Sequence, residues 1–215
     1  MKKIMFNDKY GLTQAVLEGR KTQTRRIITC PKEFRGEYVA GFYVYKKAAN
    51  DIVTKICLYD ADERPFDEGQ ILPKYKVGET IAVAQSYKDC GYSESALDIN
   101  PKNYRVARGT LGNSKGWNNK MFVRSEGCIH QIRTINIRAE RLQDISDEDC
   151  LAEGITKIVS EDGTLRYYVK NGTGETLYAT DSPQNAYAFL IDKVSGNGTW
   201  ERNPWVWVYE FELVK

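Results

Sequence analysis

Along the chain the spacing of hydrophobic positions changes repeatedly, and the changes mark short helices set among many strands. Leu12, Ala15 and Val16 share one helical face, Asn7 or Asp8 stands where a cap belongs, and Gly19 follows as a stop, so the spacing predicts a helix near 9–18. β-Branched and aromatic residues gather from Tyr38 to Tyr45 and from Ile52 to Tyr59, predicting a hairpin joined through residues 46–51. Pro73 to Glu79 is turn-like and opens a strand that carries Ile81 and Val83 towards Tyr87. Residues 88–127, rich in Gly and Asn, show no sustained period and predict loops with short strands.

Between Gln131 and Arg141, Ile135, Ile137 and Ala139 alternate with Asn136, Arg138 and Glu140, the pattern of a half-buried strand. Ser146 caps a short helix through Glu153, with Gly154 as its stop. Asp162-Gly163 is a hairpin signal, and Ser182-Pro183 opens a helix whose apolar stripe is Ala186, Phe189, Leu190 and Val194 before Gly196. Trp205 to Val214 is apolar on both faces at first and predicts a central strand. Strands joined by turns, with a few helices between them, define an α+β fold built on a small curved or closed sheet rather than a doubly wound parallel sheet.

Composition narrows the function classes. At 215 residues one domain with decorated loops is the simplest organisation. The 41% hydrophobic and 28% charged content is that of a folding chain, and 31 Lys and Arg against 29 Asp and Glu leave +2, so any polyanion site must be a local patch. The apolar start at Ile4-Met5-Phe6 is cut by Asn7, Asp8 and Lys9, too short for a signal peptide, and no run approaches the roughly 18 apolar residues of a membrane helix. A cytoplasmic protein without membrane attachment is expected. Five cysteines without close spacing predict reduced thiols, and the single His130 argues against multi-histidine metal sites. No glycine spacing fits a phosphate loop.

Candidate chemistry concentrates at Gly19 to Arg26. Arg20, Lys21, Arg25 and Arg26 bring four cations together without an acid, either a solvated charge run or a phosphate-sized patch. Thr22 and Thr24 lie inside it, and a hydroxyl beside a lysine is a minimal nucleophile and base; Lys21 and Thr24 can share a site only if the segment bends. Tyr104, Arg105, Arg108, Lys115, Trp117 and Lys120 interleave rings and cations, which suits either a single-stranded nucleic acid or a solvated loop pinned by its aromatics.

The run Leu17 to Arg26 (LEGRKTQTRR), the turn and strand Val77 to Ile81, the segment Arg141 to Asp149 and the ending Asn203 to Phe211 together resemble ASCH-domain proteins, especially the longer bacterial and phage members. Segments near 33–72, 88–127 and 156–181 fall outside the resemblance as insertions in a single domain over 1–215. The resemblance implies a PUA-like small β-barrel with flanking helices, associated with RNA binding. Some small members hydrolyse cytidine acylated on its exocyclic amine, which implies Lys21, Thr24 and Glu153 as catalytic residues, with Glu148 and Asp149 as neighbouring carboxylates. Arg20, Thr22, Arg25, Arg26 and Gln85 are then candidates for holding substrate or nucleic acid. Where longer members carry an Arg-Glu-Thr-Trp-like run, Ala84-Gln85-Ser86-Tyr87 stands here, taking a carboxylate from the barrel mouth.

Three functions remain open at this point: hydrolysis of an acylated cytidine-type amide without metal or organic cofactor, a non-catalytic RNA-binding module, and a ribonuclease. A modified nucleoside or single-stranded RNA is the expected partner.

Overall fold

The computed structural model describes residues 1–47, 52–100, 103–161 and 163–214, without the side chains of residues 100 and 103–106. The fold is α+β. Its central sheet holds five strands, β1 (Lys2–Ile4), β2 (Gln23–Ile27), β3 (Thr80–Val83), β4 (Gln131–Arg141) and β5 (Trp205–Leu213), in the spatial order β1-β3-β4-β5-β2. β1 runs parallel to β3 and the other neighbours are antiparallel. β5 is paired on both edges and buries Val206, Val208, Tyr209 and Phe211, as its early apolar run predicts.

The sheet does not close, which corrects the expected barrel. Among the described residues β1 and β2 share no ladder; Arg26 Nη2 instead donates to the Met5 carbonyl across the seam at 2.7 Å. The physical reason is that a side chain takes the place of the ladder: β1 ends at Ile4, the next carbonyl accepts from the Arg26 guanidinium instead of from a backbone N–H of β2, and Met5, Arg26 and Ile27 line cavities on both sides of the seam.

Among the described residues the helices that matter to the site are α1 (Leu12–Leu17), α2 (Asp147–Ala152) and α3 (Pro183–Ser195), with one further short helix at Thr199–Arg202. α1 is shorter than expected because Asn7 caps a separate 3-10 turn at Asp8–Tyr10, and Gly11 at φ +62 breaks that turn from the helix. Ser146 accepts from Asp149 N at 3.1 Å to start α2, and Ser182 accepts from Asn185 N at 3.2 Å to start α3, both as their side-chain chemistry predicts. α3 buries Ala186, Tyr187, Leu190 and Ile191, so its inward face is turned from the expected stripe and Val194 is left exposed.

The alternation in β4 fails at a definable point. Ile132 and Thr134 are buried, then the register with β5 slips between Thr134 and Asn136, and Ile135 is left 51% exposed. A single extra residue in one strand moves every later side chain to the other face.

Smaller sheets carry the intervening segments. Gly41–Lys46, Val53–Tyr59 and Pro65–Gln70 form one, Thr156–Val159, Leu165–Lys170 and Thr176–Thr180 another, and Leu97–Asn100 pairs with Asn103–Thr110. The 46–51 connection lies largely outside the described residues, as do Asp162 of the second hairpin turn and the side chains of Tyr104 and Arg105. Ile4, Val16, Ile81, Ile132, Leu142 and Val208 are among the residues that join the sheet and helices in one hydrophobic core. No helix among the described residues is long and apolar enough to cross a membrane.

Gly154, at φ +106, lies between α2 and the strand Thr156–Val159, and a Cβ there would stand 3.2 Å from Leu12 Cδ2. Gly154→Ala is therefore expected to lower the unfolding free energy by about 1–2 kcal/mol, read as a lower urea midpoint with an unchanged slope.

Candidate active site

The site is assembled where α1 hands over to β2. Gly19 takes φ +71 at the end of α1 and turns the chain, so that Lys21 N donates to Ala15 O at 2.9 Å and Thr22 N donates to Ala152 O at 2.8 Å, the last residue of α2. β2 begins only at Gln23, and its Thr24 lies opposite Tyr209 of β5. The bend ahead of β2 brings Lys21 and Thr24 to the same cavity, of about 270 Å³, which Glu153 also lines. Phe6, Leu12, Leu190 and Ile191 supply apolar wall.

Lys21 and Glu153 are both buried. Lys21 Nζ stands 2.5 Å from Glu153 Oε2 and donates to the Glu153 carbonyl oxygen at 2.8 Å. Glu153 reaches this position because it ends α2, which Ser146 starts, and its backbone N–H closes the last turn onto Asp149 O at 2.9 Å. Burial pushes the Lys21 ammonium below the ordinary lysine value; Glu153 opposes that shift, and Arg26 and Arg25 add to it. Thr24 is buried, and its hydroxyl has no hydrogen-bond partner among the described residues.

Behind this pair stands a charged lattice. Arg25, with no exposed side-chain surface, donates to Glu140 Oε1 at 2.7 Å, to Asp149 Oδ2 at 2.6 Å and to Glu153 Oε1 at 3.2 Å. Arg138 meets Glu140 at 2.8 Å and Asp149 at 2.5 Å, and also bonds Glu210. Burial works against the Arg25 charge, but Glu153 and Glu140 outweigh it and hold the guanidinium above its ordinary value. Arg25 thereby fixes the face of Glu153 turned away from Lys21.

The four cations of the basic segment are divided by the fold, so the sequence patch is not one exposed surface. Lys21 and Arg25 are buried against carboxylates; Arg20 is exposed and pairs with Glu18 at 2.6 Å; Arg26 is exposed, with its guanidinium 5.9 Å from the Phe6 ring centre. Buried cations survive only with partners, and β4 and α2 supply those partners. Arg26 lines the cavity, whereas Arg20 lines a different depression and Thr22 is exposed outside it. Gln85 also lies elsewhere: it is buried, bonds His130 Nδ1 at 2.5 Å, and lines a pocket with Thr13 and Asp89 on the other side of α1. The strand ends at Val83, so Gln85 belongs to the chain leaving the sheet.

Tyr187 is a site residue that the sequence pattern did not reveal. It lines the cavity from α3, is buried, and its hydroxyl has no hydrogen-bond partner among the described residues. Burial first, and then Glu153, push its pKa well above the ordinary value, so it remains a donor. The available signal is a tyrosine three and four residues before Leu190 and Ile191, a polar tip in an apolar stripe. Simple alternation puts Arg138 and Glu140 opposite Ile137 and Ala139, on the side read as solvent; they do lie there, but Arg138 stands opposite Val208, which pairs with Arg25, so that face carries the lattice instead of water. Among the described residues no group of three or more His, Cys, Asp or Glu is placed to hold a metal ion.

Comparison with family models, with curated proteins and with solved structures finds no match for this chain.

Proposed function

We propose that the protein is an ASCH-type, PUA-like hydrolase with an unclosed sheet, and that it cleaves the amide of an acylated, cytidine-type nucleobase. The observation that carries this reading is the buried Lys21–Glu153 pair at 2.5 Å, sharing an apolar cavity with the Thr24 hydroxyl and the unpartnered Tyr187 hydroxyl. Moving one proton across that contact gives neutral Lys21 and protonated Glu153. Lys21 then takes the Thr24 proton, Oγ1 attacks the acyl carbon, and Glu153 protonates the departing amine as the C–N bond breaks. In the second half Glu153 takes a proton from the attacking water and Lys21 returns one to Thr24 Oγ1, releasing the carboxylic acid. Tyr187 donates to the oxyanion that develops on the acyl oxygen.

Size and charge weigh towards a small substrate over a polynucleotide. The cavity volume of about 270 Å³ suits a base with its acyl group, and Lys21 and Arg25 are already neutralised by carboxylates rather than presented to phosphates. The test is turnover of a free acylated cytidine by the purified protein, with product nucleoside and acid measured together. Turnover only of polynucleotides, or of nothing, rejects the assignment.

The pH profile is set by the pair. It must hold one proton, because Glu153 has to deliver it to the amine. Burial lowers the Lys21 pKa, so the pair loses that proton at a pH below the ordinary lysine value of 10.5. kcat/KM is therefore expected to fall about tenfold per pH unit from a point below 10.5. A rate that keeps climbing past that value contradicts the mechanism.

A further inference from the structure

The segment 88–127 carries a second polar cavity that the hydrolytic site does not use. It is small, about 130 Å³, and is lined by Ser114, Lys115 and Arg124, with Arg108 and Asp98 beside them. Two of the described buried polar atoms without a hydrogen-bond partner, Ser114 Oγ and Arg124 Nη1, belong to residues of this one cavity. Arg124 already gives Nη2 to Asp98 Oδ1 at 2.6 Å, which fixes the plane of the guanidinium and leaves Nη1 unmatched. The Arg124 side chain as a whole is 31% exposed, but its Nη1 is buried; a buried polar atom without a partner is costly to maintain, and two of them at one cavity, one on a cation and one a hydroxyl, point to an acceptor that belongs there.

The surroundings are closely packed. Tyr87 forms the floor, and its ring is clamped between Gly116 and Gly127, where an added Cβ would lie 2.6 Å and 2.8 Å from ring carbons. Ser114 is held in a turn by Trp117 N donating to its carbonyl at 3.0 Å, and the Arg124 carbonyl accepts from Gly127 N at 2.9 Å. Lys115 places its ammonium 5.6 Å from the Phe122 ring centre.

We infer that this cavity, formed by Ser114, Lys115 and Arg124 over the Tyr87 ring, is a binding site for a single phosphate group. The acceptor must be anionic, since Lys115 and Arg124 outnumber Asp98 and the unmatched atoms can both donate. It must offer several oxygens within a small volume, because Ser114 and its neighbour Lys115 stand on one turn and Arg124 Nη1 comes from a separate stretch of chain. A tetrahedral oxyanion meets both conditions and a nucleobase does not.

Inorganic phosphate titrated into the intact protein should bind saturably, followed by calorimetry and by the Arg124 side-chain nitrogen signal. Ser114→Ala should weaken it roughly fivefold and Lys115→Gln roughly tenfold, each by loss of one charge-assisted bond. Neither change touches the Arg124–Asp98 pair, and unchanged melting curves will show that the fold is retained. Two further probes identify the source of the group: a 5′-phosphorylated mononucleotide and a single-stranded oligoribonucleotide without terminal phosphate. Tighter binding of the mononucleotide than of inorganic phosphate assigns a terminal phosphate; displacement of phosphate by the oligonucleotide assigns a backbone phosphate; neither assigns free phosphate, and each upholds the site. Absence of saturable binding, or binding that both substitutions leave within about twofold of wild type, overturns it.

Discussion

Thr24→Val is expected to reduce turnover of a free acylated cytidine by at least about a hundredfold while changing its binding little. Valine keeps the branched shape, so the buried position opposite Tyr209 in β2 is filled and the strand pairing stays intact. Only the hydroxyl is lost. Because Thr24 makes no side-chain hydrogen bond among the described residues, its removal strands no donor or acceptor, and stability should change by less than about 1 kcal/mol. Lys21→Met is the less clean test, since it also unpairs Glu153. Full turnover by the Thr24→Val protein would exclude Thr24 as the nucleophile. Loss of binding together with turnover would instead place the hydroxyl in substrate recognition.

Arg25→Met should have the largest effect on stability. The guanidinium has no exposed side-chain surface and joins three carboxylates, of which Glu153 is 5% exposed against 15% for Glu140 and 18% for Asp149. Glu140 and Asp149 keep Arg138 and some contact with water, whereas Glu153 keeps only Lys21. Breaking a buried ion network from one side costs about 3–5 kcal/mol, because charge is left uncompensated. For a chain of this size that corresponds to a fall in Tm of roughly 6–20 °C. Adding Glu153→Gln should recover part of the loss, as the least solvated of the orphaned charges is then removed. An unchanged Tm for Arg25→Met would mean that the carboxylates turn to solvent at little cost, and that Arg25 does not set the position of Glu153.

Local chemistry made many elements readable. Ser146 and Ser182 have hydroxyls that cap the helices after them, Gly19 and Gly154 stop helices at positive φ, and the apolar closing run is the doubly paired strand it resembles. The failures share a cause. The slip at Ile135, the rotation of α3 that buries Tyr187, and the open seam between β1 and β2 each depend on contacts between residues far apart in the chain. A period measured in one segment carries no information about the register of its partner.

The same division runs through the candidate site. The residue types at Gly19 to Arg26 already supplied a helix stop, a lysine and a hydroxyl, because glycine acts over a few residues, whereas the bend that lets Lys21 and Thr24 share a cavity was only a condition until the fold showed it. What the cations do was decided only by folding. Arg20, Lys21, Arg25 and Arg26 read alike along the chain, yet α2 and β4 bring carboxylates to Lys21 and Arg25 and leave Arg20 and Arg26 at the surface. Charge is a property of the residue and holds from sequence onward, whereas burial and pairing are properties of the packed chain, and they turn one basic run into two buried cations held by carboxylates and two surface cations.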